Sequence, residues 1–427
     1  MPGIAAPRGT HDLLPDAAPA WLWLHDVHAR VAGAFGYQLI DTPIFEHAEL
    51  IERGVGTGTD VVDKETYTFK DRGDRLVTLR PEGTAGVLRA VLTANLVQEV
   101  RPVRVHYAGP MFRYDRPQRG RQRQFAQVGV ECIGEASAHL DAEVIEMGWR
   151  FIEELGVTGV SLQVNSLGDG DDRRRYREAL IAYYEPHAGR LCDDCRTRLR
   201  TNPLRLLDCK RDADLVADAP RMTDSLGPAS RAWFQQVVDD LGAAGIPFTH
   251  NPRLVRGLDY YMHTSFEYWH ESLKGAQNAL GGGGRYDGLA EVLGFPATPG
   301  IGYAMGVERL LLAAGDGGRV PPPQPACDAV AASLEPQQAQ AAAGVARTLR
   351  SAGVRTVLDV SDRKLDRKLR NADRLGARVV VLIGPEEQAE GSATVRDLRN
   401  RQQHRAPLQR LAAAVAEALA APEATPA

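Results

Sequence analysis

Between Arg113 and Arg123 the chain carries five arginines and a single carboxylate, Asp115. Guanidinium is always charged and grips phosphate oxygens in a planar fork, so this density suits a site that holds a polyanion. A solvated hairpin with an internal ion pair accounts for some of these charges, but not for five. The arginines lie between two strand-like segments. Val103 to Phe112 is apolar. The return alternates, with Phe125, Gln127, Gly129 and Glu131 on one face and Ala126, Val128 and Val130 on the other. Arg116-Pro-Gln-Arg-Gly120 turns the chain between them, so the whole predicts a hairpin with a long arm. Gln127 and Glu131 share a face, and Gly129 leaves room between them.

Further polar residues sit where elements change. Thr78-Leu-Arg-Pro-Glu-Gly-Thr-Ala85 places Glu82 and Thr84 at a strand-to-helix junction, where Thr84 can cap a helix starting near Ala85. Glu82 is either a capping carboxylate or a ligand group. Arg256-Gly257 forms a loop ahead of Tyr260, Tyr261 and a strand through Phe266 and Tyr268. Gly281 to Gly284, before Arg285 and Tyr286, lacks the Lys-Ser/Thr of a phosphate loop. It predicts instead a strand whose backbone approaches a neighbour or a ligand closely. Gly300 to Leu312 predicts a strand running into a helix that carries Glu308 and Arg309, either solvated or against a ligand.

Phe112-Arg113-Tyr-Asp115 followed by Arg121-x-x-x-Phe125 resembles motif 2 of the class II aminoacyl-tRNA synthetases. The stretch ending in Arg309 resembles their motif 3, and a helix from Trp21 to Phe35 followed by a strand with Pro43 resembles motif 1, the homodimer interface. In detail, Gly-Pro-Met-Phe-Arg-Tyr114, Leu-Arg-Pro-Glu-Gly-Thr84 and Arg256-Gly-Leu-Asp-Tyr-Tyr261 resemble the histidyl-tRNA synthetases. The resemblance implies ATP-dependent conversion of histidine to histidyl-adenylate and transfer to the 3′ end of tRNA(His), with Mg²⁺ beside ATP. It implies catalytic roles for Arg113 and Arg256 at the α-phosphate, and ATP binding by Arg113, Arg121, Phe125 and Arg309. Glu82, Thr84 and Gln127 would hold the ammonium group of histidine. Glu131 and Tyr261 would read the imidazole, with Tyr260 and Tyr286 in the same pocket. Arg116, Gln118 and Arg123 would touch the tRNA acceptor end. Asp115 stands where the family usually has glutamate. Two rival readings are a non-catalytic regulatory relative and another synthetase of the same subclass. Arg256 and a complete C-terminal domain count against the first, and Arg-Gly-Leu-Asp-Tyr-Tyr against the second.

These residues need a large scaffold. At 427 residues the chain exceeds one compact core. Its net charge of −4 requires any nucleic-acid contact to be local. No run of 18 apolar residues and no charged-then-apolar leader predict a cytoplasmic chain with no membrane partner. The expected fold is α+β: a class II antiparallel sheet flanked by helices in residues 1–320, with a charged helical insertion at about 169–225. A proline-rich linker follows at 321–326, then an anticodon-binding α/β domain with mostly parallel strands at 327–420 and a disordered tail at 421–427. Between Arg347 and Arg378 ten Lys/Arg face four Asp, a candidate nucleic-acid footprint. Cys192-x-x-Cys195 with Cys209, and His187 nearby, has the residue types of a zinc site but no second paired knuckle. The expectation is therefore no metal held by protein side chains.

Overall fold

The structure is a computed structural model that describes residues 3–56, 62, 65–116, 120–209, 211–254, 260–271, 273, 278–315 and 319–422. Arg256, Gln118 and most of the expected C-terminal tail lie outside the described residues. The chain divides into two compact units, Met1–Pro321 and Pro322–Ala427.

The strands of the first unit, in chain order, are β1 (Gln38–Leu39), β2 (Phe45–His47), β3 (Tyr67–Lys70), β4 (Leu76–Leu79), β5 (Val103–Phe112), β6 (Gln124–Ile133), β7 (Val160–Ser166), β8 (Phe248–His250), β9 (Met262–His270), β10 (Ala279–Arg285) and β11 (Gly300–Gly306). Eight of them form one sheet in the order β1-β5-β6-β11-β10-β9-β7-β8. The five inner pairings, from β5·β6 through β7·β9, are antiparallel, and only the outer pairs β1·β5 and β7·β8 are parallel. The hairpin of β5 and β6 runs in register from Val103↔Ile133 to Phe112↔Gln124.

Alternation along the strands sorts side chains between the two faces. Ala126, Val128 and Val130 enter a core shared with Leu24 and Val31 of helix Ala18–Ala34, and with Val144, Ile145 and Phe151 of helix Ala138–Glu154. Phe266 and Tyr268 of β9 join the same core. The opposite face carries a smaller cluster with Val105, Tyr107 and Met111, packed against Val87, Leu88 and Val91 of helix Thr84–Thr93. Gln127, Glu131 and Glu267 belong to this second face by the same two-residue period.

The expected continuous strand from Gly36 to Glu46 is instead two short pieces, β1 and β2, separated around Pro43. Proline supplies no N–H for a ladder. Arg80 bridges the break: its guanidinium donates to Thr42 O at 2.7 Å and to Pro110 O at 3.0 Å. The break leaves Leu39, Ile44 and Phe45 exposed. The helix after Glu82 runs Thr84–Thr93 and is not capped by the Thr84 side chain. Glu82 caps it, accepting from the N–H groups of Thr84 at 2.6 Å and Ala85 at 3.0 Å.

The insertion contains helices Gly170–Tyr184, Asp193–Thr201 and Ala213–Ala217. Asp169 and Asp172 close a reciprocal capping box at its entrance. Tyr176, Leu180, Tyr184, Leu206 and Met222 give it a core of its own.

The second unit holds β12 (Ala329–Ser333), β13 (Thr356–Asp359), β14 (Val379–Ile383), β15 (Ser392–Asp397) and β16 (Gln402–Pro407), in the order β13-β12-β14-β15-β16. Two pairings are parallel and two antiparallel, so the expected mostly parallel sheet is half so. The difference comes from β16, a polar edge strand whose buried residue is Ala406 and which offers no hydrophobic alternation to read. Asp397 forms the turn before it, accepting from the N–H groups of Arg399 at 2.9 Å and Asn400 at 3.1 Å.

Candidate active site

A cleft of about 440 Å³ opens on the second face of the large sheet. Glu82 and Thr84 reach it from the N-terminus of their helix, Arg113 and Arg121 from the hairpin arm, and Phe125 and Gln127 from β6. Tyr260 and Tyr261, Glu267 of β9, Gly281 and Gly282 of β10, and Glu308 and Arg309 at the start of helix Val307–Gly315 complete the wall. Nine of the sequence-derived site residues thus line one cleft, although they span positions 82 to 309.

The cleft is rich in fixed positive charge. Arg113 Nε donates to Pro81 O at 2.9 Å, and its guanidinium lies 5.4 Å from the Phe125 ring centroid. Arg309 donates to Ala279 O at 2.8 Å and to Gly120 O at 3.1 Å, so it is a held group rather than a solvated one. Burial, and then the positive charges of Arg121 and Arg113, lower the Arg309 pKa. Burial likewise lowers that of Arg113. Both guanidiniums stay charged, because their ordinary value is so high. Asp115 pairs with Arg121 and offsets part of this field.

The same cleft also holds acceptor groups. Burial raises the Glu82 pKa, while its two backbone N–H bonds work the other way. Gln127 Oε1 is buried and has no hydrogen-bond partner among the described residues. An unpaired buried amide oxygen costs about 1–3 kcal/mol and marks a place for a donor.

Glu131 and Tyr286 lie one layer below the cleft and do not line it. Both are fully buried. Tyr286 Oη donates to Glu131 Oε2 at 2.6 Å, and Thr84 Oγ1 donates to Glu131 Oε1 at 2.7 Å. Burial pushes the Glu131 pKa up to about 8. The ring of Tyr107 fills the room over Gly129: a Cβ there would sit 2.3 Å from Tyr107 Cζ, and one at Gly83 would sit 2.5 Å from the same atom. Arg116 and Arg123 stand outside the cleft. The Arg123 guanidinium stacks 3.8 Å from the Tyr114 ring centroid.

The glycine run has a local cause. A Cβ at Gly281 or Gly283 would strike the backbone of β11, at 2.4 Å from Ala304 O and 1.9 Å from Gly302 O. These two glycines let neighbouring strands close up, and Gly281 and Gly282 form the floor of the cleft.

Two features escaped the sequence reading. Glu267 adds a carboxylate to the cleft beside Glu308, one of the two helix-start residues left open between solvent and ligand, and the alternation that buries Phe266 and Tyr268 already pointed Glu267 the other way. Directly beyond the glycine run, Arg285 and Asp141 form a fully buried ion pair, with Nε and Nη2 donating to Asp141 Oδ1 at 2.9 and 2.6 Å. Asp141 also accepts from Trp233 Nε1 at 2.8 Å and from Thr264 Oγ1 at 2.5 Å. No local pattern marks partners 144 residues apart.

An antiparallel sheet whose one face carries a glycine floor, a hairpin arginine, a helix-start arginine and acceptor groups is the catalytic architecture of the class II aminoacyl-tRNA synthetases. The comparisons narrow it. The Histidyl-tRNA synthetase family profile matches residues 9–168 and 187–310, and the Anticodon binding domain profile matches 328–418. The chain is 47% identical over 408 residues to the histidine–tRNA ligase of Dehalococcoides mccartyi, covering 95% of this chain and 97% of that one. It is 46% identical over 410 residues to that of Geobacillus kaustophilus, covering 95% and 96%. The solved apo histidyl-tRNA synthetase of S. aureus superposes with a TM-score of 0.81 at 36% identity, covering 97% of this chain and 100% of that one. The chain belongs to the histidyl-tRNA synthetase family. It is an aminoacyl-tRNA ligase with a C-terminal anticodon-binding domain. Among the described residues no helix is long and apolar enough to cross a membrane.

Proposed function

We propose that the cleft activates histidine with ATP and passes it to the 3′ end of tRNA(His). The observation that carries this reading is one cleft lined by three guanidiniums, Arg113, Arg121 and Arg309, together with the Glu82 carboxylate and the unpaired Gln127 Oε1. Triphosphate needs the first and an amino acid's ammonium the second. Gln127 Oε1 and the carboxylate of Glu82 receive the ammonium, beside Thr84. Tyr261 faces the imidazole, and Glu131, beneath the cleft, acts on the pocket through Thr84, whose hydroxyl donates to it at 2.7 Å. Tyr260 closes the pocket and Tyr286 orients Glu131 from below.

The histidine carboxylate attacks the α-phosphorus in line, a P–O bond to it forms, and pyrophosphate leaves. The ribose hydroxyl of the terminal adenosine then attacks the acyl carbon and displaces AMP. Such steps depend on positioning and charge neutralisation rather than on a protein nucleophile. Arg113 and Arg256 neutralise the α-phosphate, while Phe125, Arg121 and Arg309 hold adenine and the outer phosphates. Glu267 and Glu308 offer hard oxygens that would hold a magnesium ion bound mainly through substrate phosphates, where it would offset the charge of the β- and γ-phosphates. Arg116 and Arg123, which stand outside the cleft, meet the acceptor end of the tRNA together with Gln118.

Of the ten cations between Arg347 and Arg378, several serve the fold. Lys368 is buried on Ser333 O at 2.6 Å, Arg355 pairs with Asp328, and Arg378 holds Leu419 O at 2.7 Å. Arg347, Arg363, Lys364, Arg367, Arg370 and Arg374 are exposed and form the proposed anticodon-stem footprint. Exposed Leu39, Ile44 and Phe45 support a homodimer interface. The setting is cytoplasmic protein synthesis.

Pyrophosphate exchange measured with each amino acid separately tests the reading. Exchange with histidine alone is expected. No exchange would indicate a regulatory subunit, and exchange with another amino acid a different synthetase.

A further inference from the structure

The helical insertion brings four potential metal ligands to one point. Cys192, Cys195, Cys209 and Asp212 each offer a ligand atom, and all four atoms lie within 4.8 Å of one another. All three thiols are free. His187, the nitrogen donor expected from sequence, is not among them; it packs edge-on against Tyr183 at 5.5 Å. The fourth group is Asp212, which no cysteine spacing points to.

Two of the spacings match the edges of a tetrahedral zinc site. Zinc bound by thiolate at about 2.3 Å holds two sulfurs about 3.8 Å apart, and a carboxylate oxygen at about 2.1 Å stands about 3.6 Å from a sulfur. Cys192 Sγ and Cys209 Sγ are 3.8 Å apart, and Cys209 Sγ is 3.6 Å from Asp212 Oδ2. The surroundings suit the charged ligands. Cys192 is the N-cap of helix Asp193–Thr201, so its position is fixed by the helix start. The Cys192 N–H donates to Asp212 Oδ1 at 3.3 Å and to Oδ2 at 3.2 Å, which fixes the carboxylate from outside the ligand set. Cys195 and Asp212 are buried, while Cys192 and Cys209 are partly exposed, so an ion has a way in.

We propose that Cys192, Cys195, Cys209 and Asp212 form a structural zinc site in the insertion. Binding releases three thiol protons and forms three Zn–S bonds and one Zn–O bond. With four protein ligands the site is closed, so it supplies no open position for chemistry. It ties the start of helix Asp193–Thr201 to the approach of helix Ala213–Ala217. The insertion has only a small core, and a metal clip is a recognised substitute for apolar burial in such a module.

The test uses the full-length chain, untagged and purified under reducing conditions without chelator. Elemental analysis should find about one zinc per chain. After removal of zinc, cobalt titration should give the thiolate-to-metal charge-transfer band and the intense visible bands of a tetrahedral site, saturating at about one equivalent. Cys209→Ser and Asp212→Asn should each weaken cobalt binding at least ~10-fold, while Cys327→Ser, in the other unit, should leave it unchanged. The cobalt titration of the unmutated chain keeps the test valid even where a variant folds poorly. Zinc below about a tenth of an equivalent with no tetrahedral cobalt spectrum would overturn the proposal. So would a Cys192–Cys209 disulfide mapped in the purified chain, or unchanged cobalt affinity in Cys209→Ser.

Discussion

Arg285→Met should destabilise the catalytic unit, and its pH dependence should identify Asp141 as the reason. The pair is fully buried, two guanidinium N–H groups converge on Asp141 Oδ1, and Arg285 also holds Asp287 at 2.8 Å. Removing the cation leaves Asp141 buried with only the Trp233 and Thr264 hydrogen bonds. Breaking one side of such a pair costs about 3–5 kcal/mol. Burial already raises the Asp141 pKa and Arg285 opposes that shift, so in the variant the pKa rises further. A carboxyl whose folded pKa exceeds its unfolded value contributes its stability below the unfolded pKa and loses it as pH rises. The deficit of the variant should therefore shrink toward about pH 4 and be largest near neutrality. Urea unfolding followed by tryptophan fluorescence is the assay, because all five tryptophans lie within residues 1–321 and report this unit alone. Asp141→Leu combined with Arg285→Met should recover most of the loss, since no uncompensated charge remains. A single variant as stable as the parent, or a deficit that grows on acidification, would refute the reasoning.

Four more outcomes are expected. Arg113→Lys keeps the charge but loses the fork and the bond to Pro81 O, so single-turnover adenylate formation should slow by ~10²–10³ with little change in KM for histidine. Gly129→Ala drives a methyl into the Tyr107 ring and should cost about 1–3 kcal/mol in the same urea assay, whereas Gly33→Ala, with open space around it, should not. Glu131 has its pKa raised from 4.5 to about 8, so its contribution to stability is complete below about 4.5 and lost as pH rises through about 8. The thermal midpoint of Glu131→Gln relative to the parent should therefore climb between those values, and a flat difference would remove the buried carboxylate as the cause. Deleting residues 322–427 should spare histidine-dependent pyrophosphate exchange and strongly reduce tRNA charging; equal charging by the shortened chain would end the anticodon-binding role.

How far the sequence could be read depended on the range of the interaction concerned. Alternation from Phe125 to Glu131 follows from a two-residue period that any strand obeys, so the faces of β6 were legible before the sheet was known. The arginine cluster was legible because guanidinium has one geometry and a permanent charge. Arg113, Arg121, Gln127 and Arg309 could be assigned to one site from motifs, and the structure brings them around one cleft. The depth of each residue was a different matter. Glu131 and Tyr286 sit beneath the cleft because Tyr107 and Thr84 pack over them, and that depends on how helix Thr84–Thr93 lies on the sheet. Pro43 could be seen to weaken a strand, but only the packing of Arg80 shows where the chain breaks and resumes. Lys368 looked like a surface cation among its neighbours until the fold buried it on Ser333.

Partners distant in sequence were decided by tertiary structure alone. Arg285 meets Asp141 across 144 residues because β10 ends beside helix Ala138–Glu154. Asp212 joins three cysteines because a turn after Cys209 folds back on the start of helix Asp193–Thr201. Local composition determines what a side chain can do: its charge, its hydrogen bonds, the face of the strand or helix it occupies. Which groups meet is set by sheet order and helix packing, whose energies are sums over many weak contacts. No short stretch of sequence carries such a sum, and so the ligand list of the cysteine cluster, unlike the arginines of the cleft, had to wait for the fold.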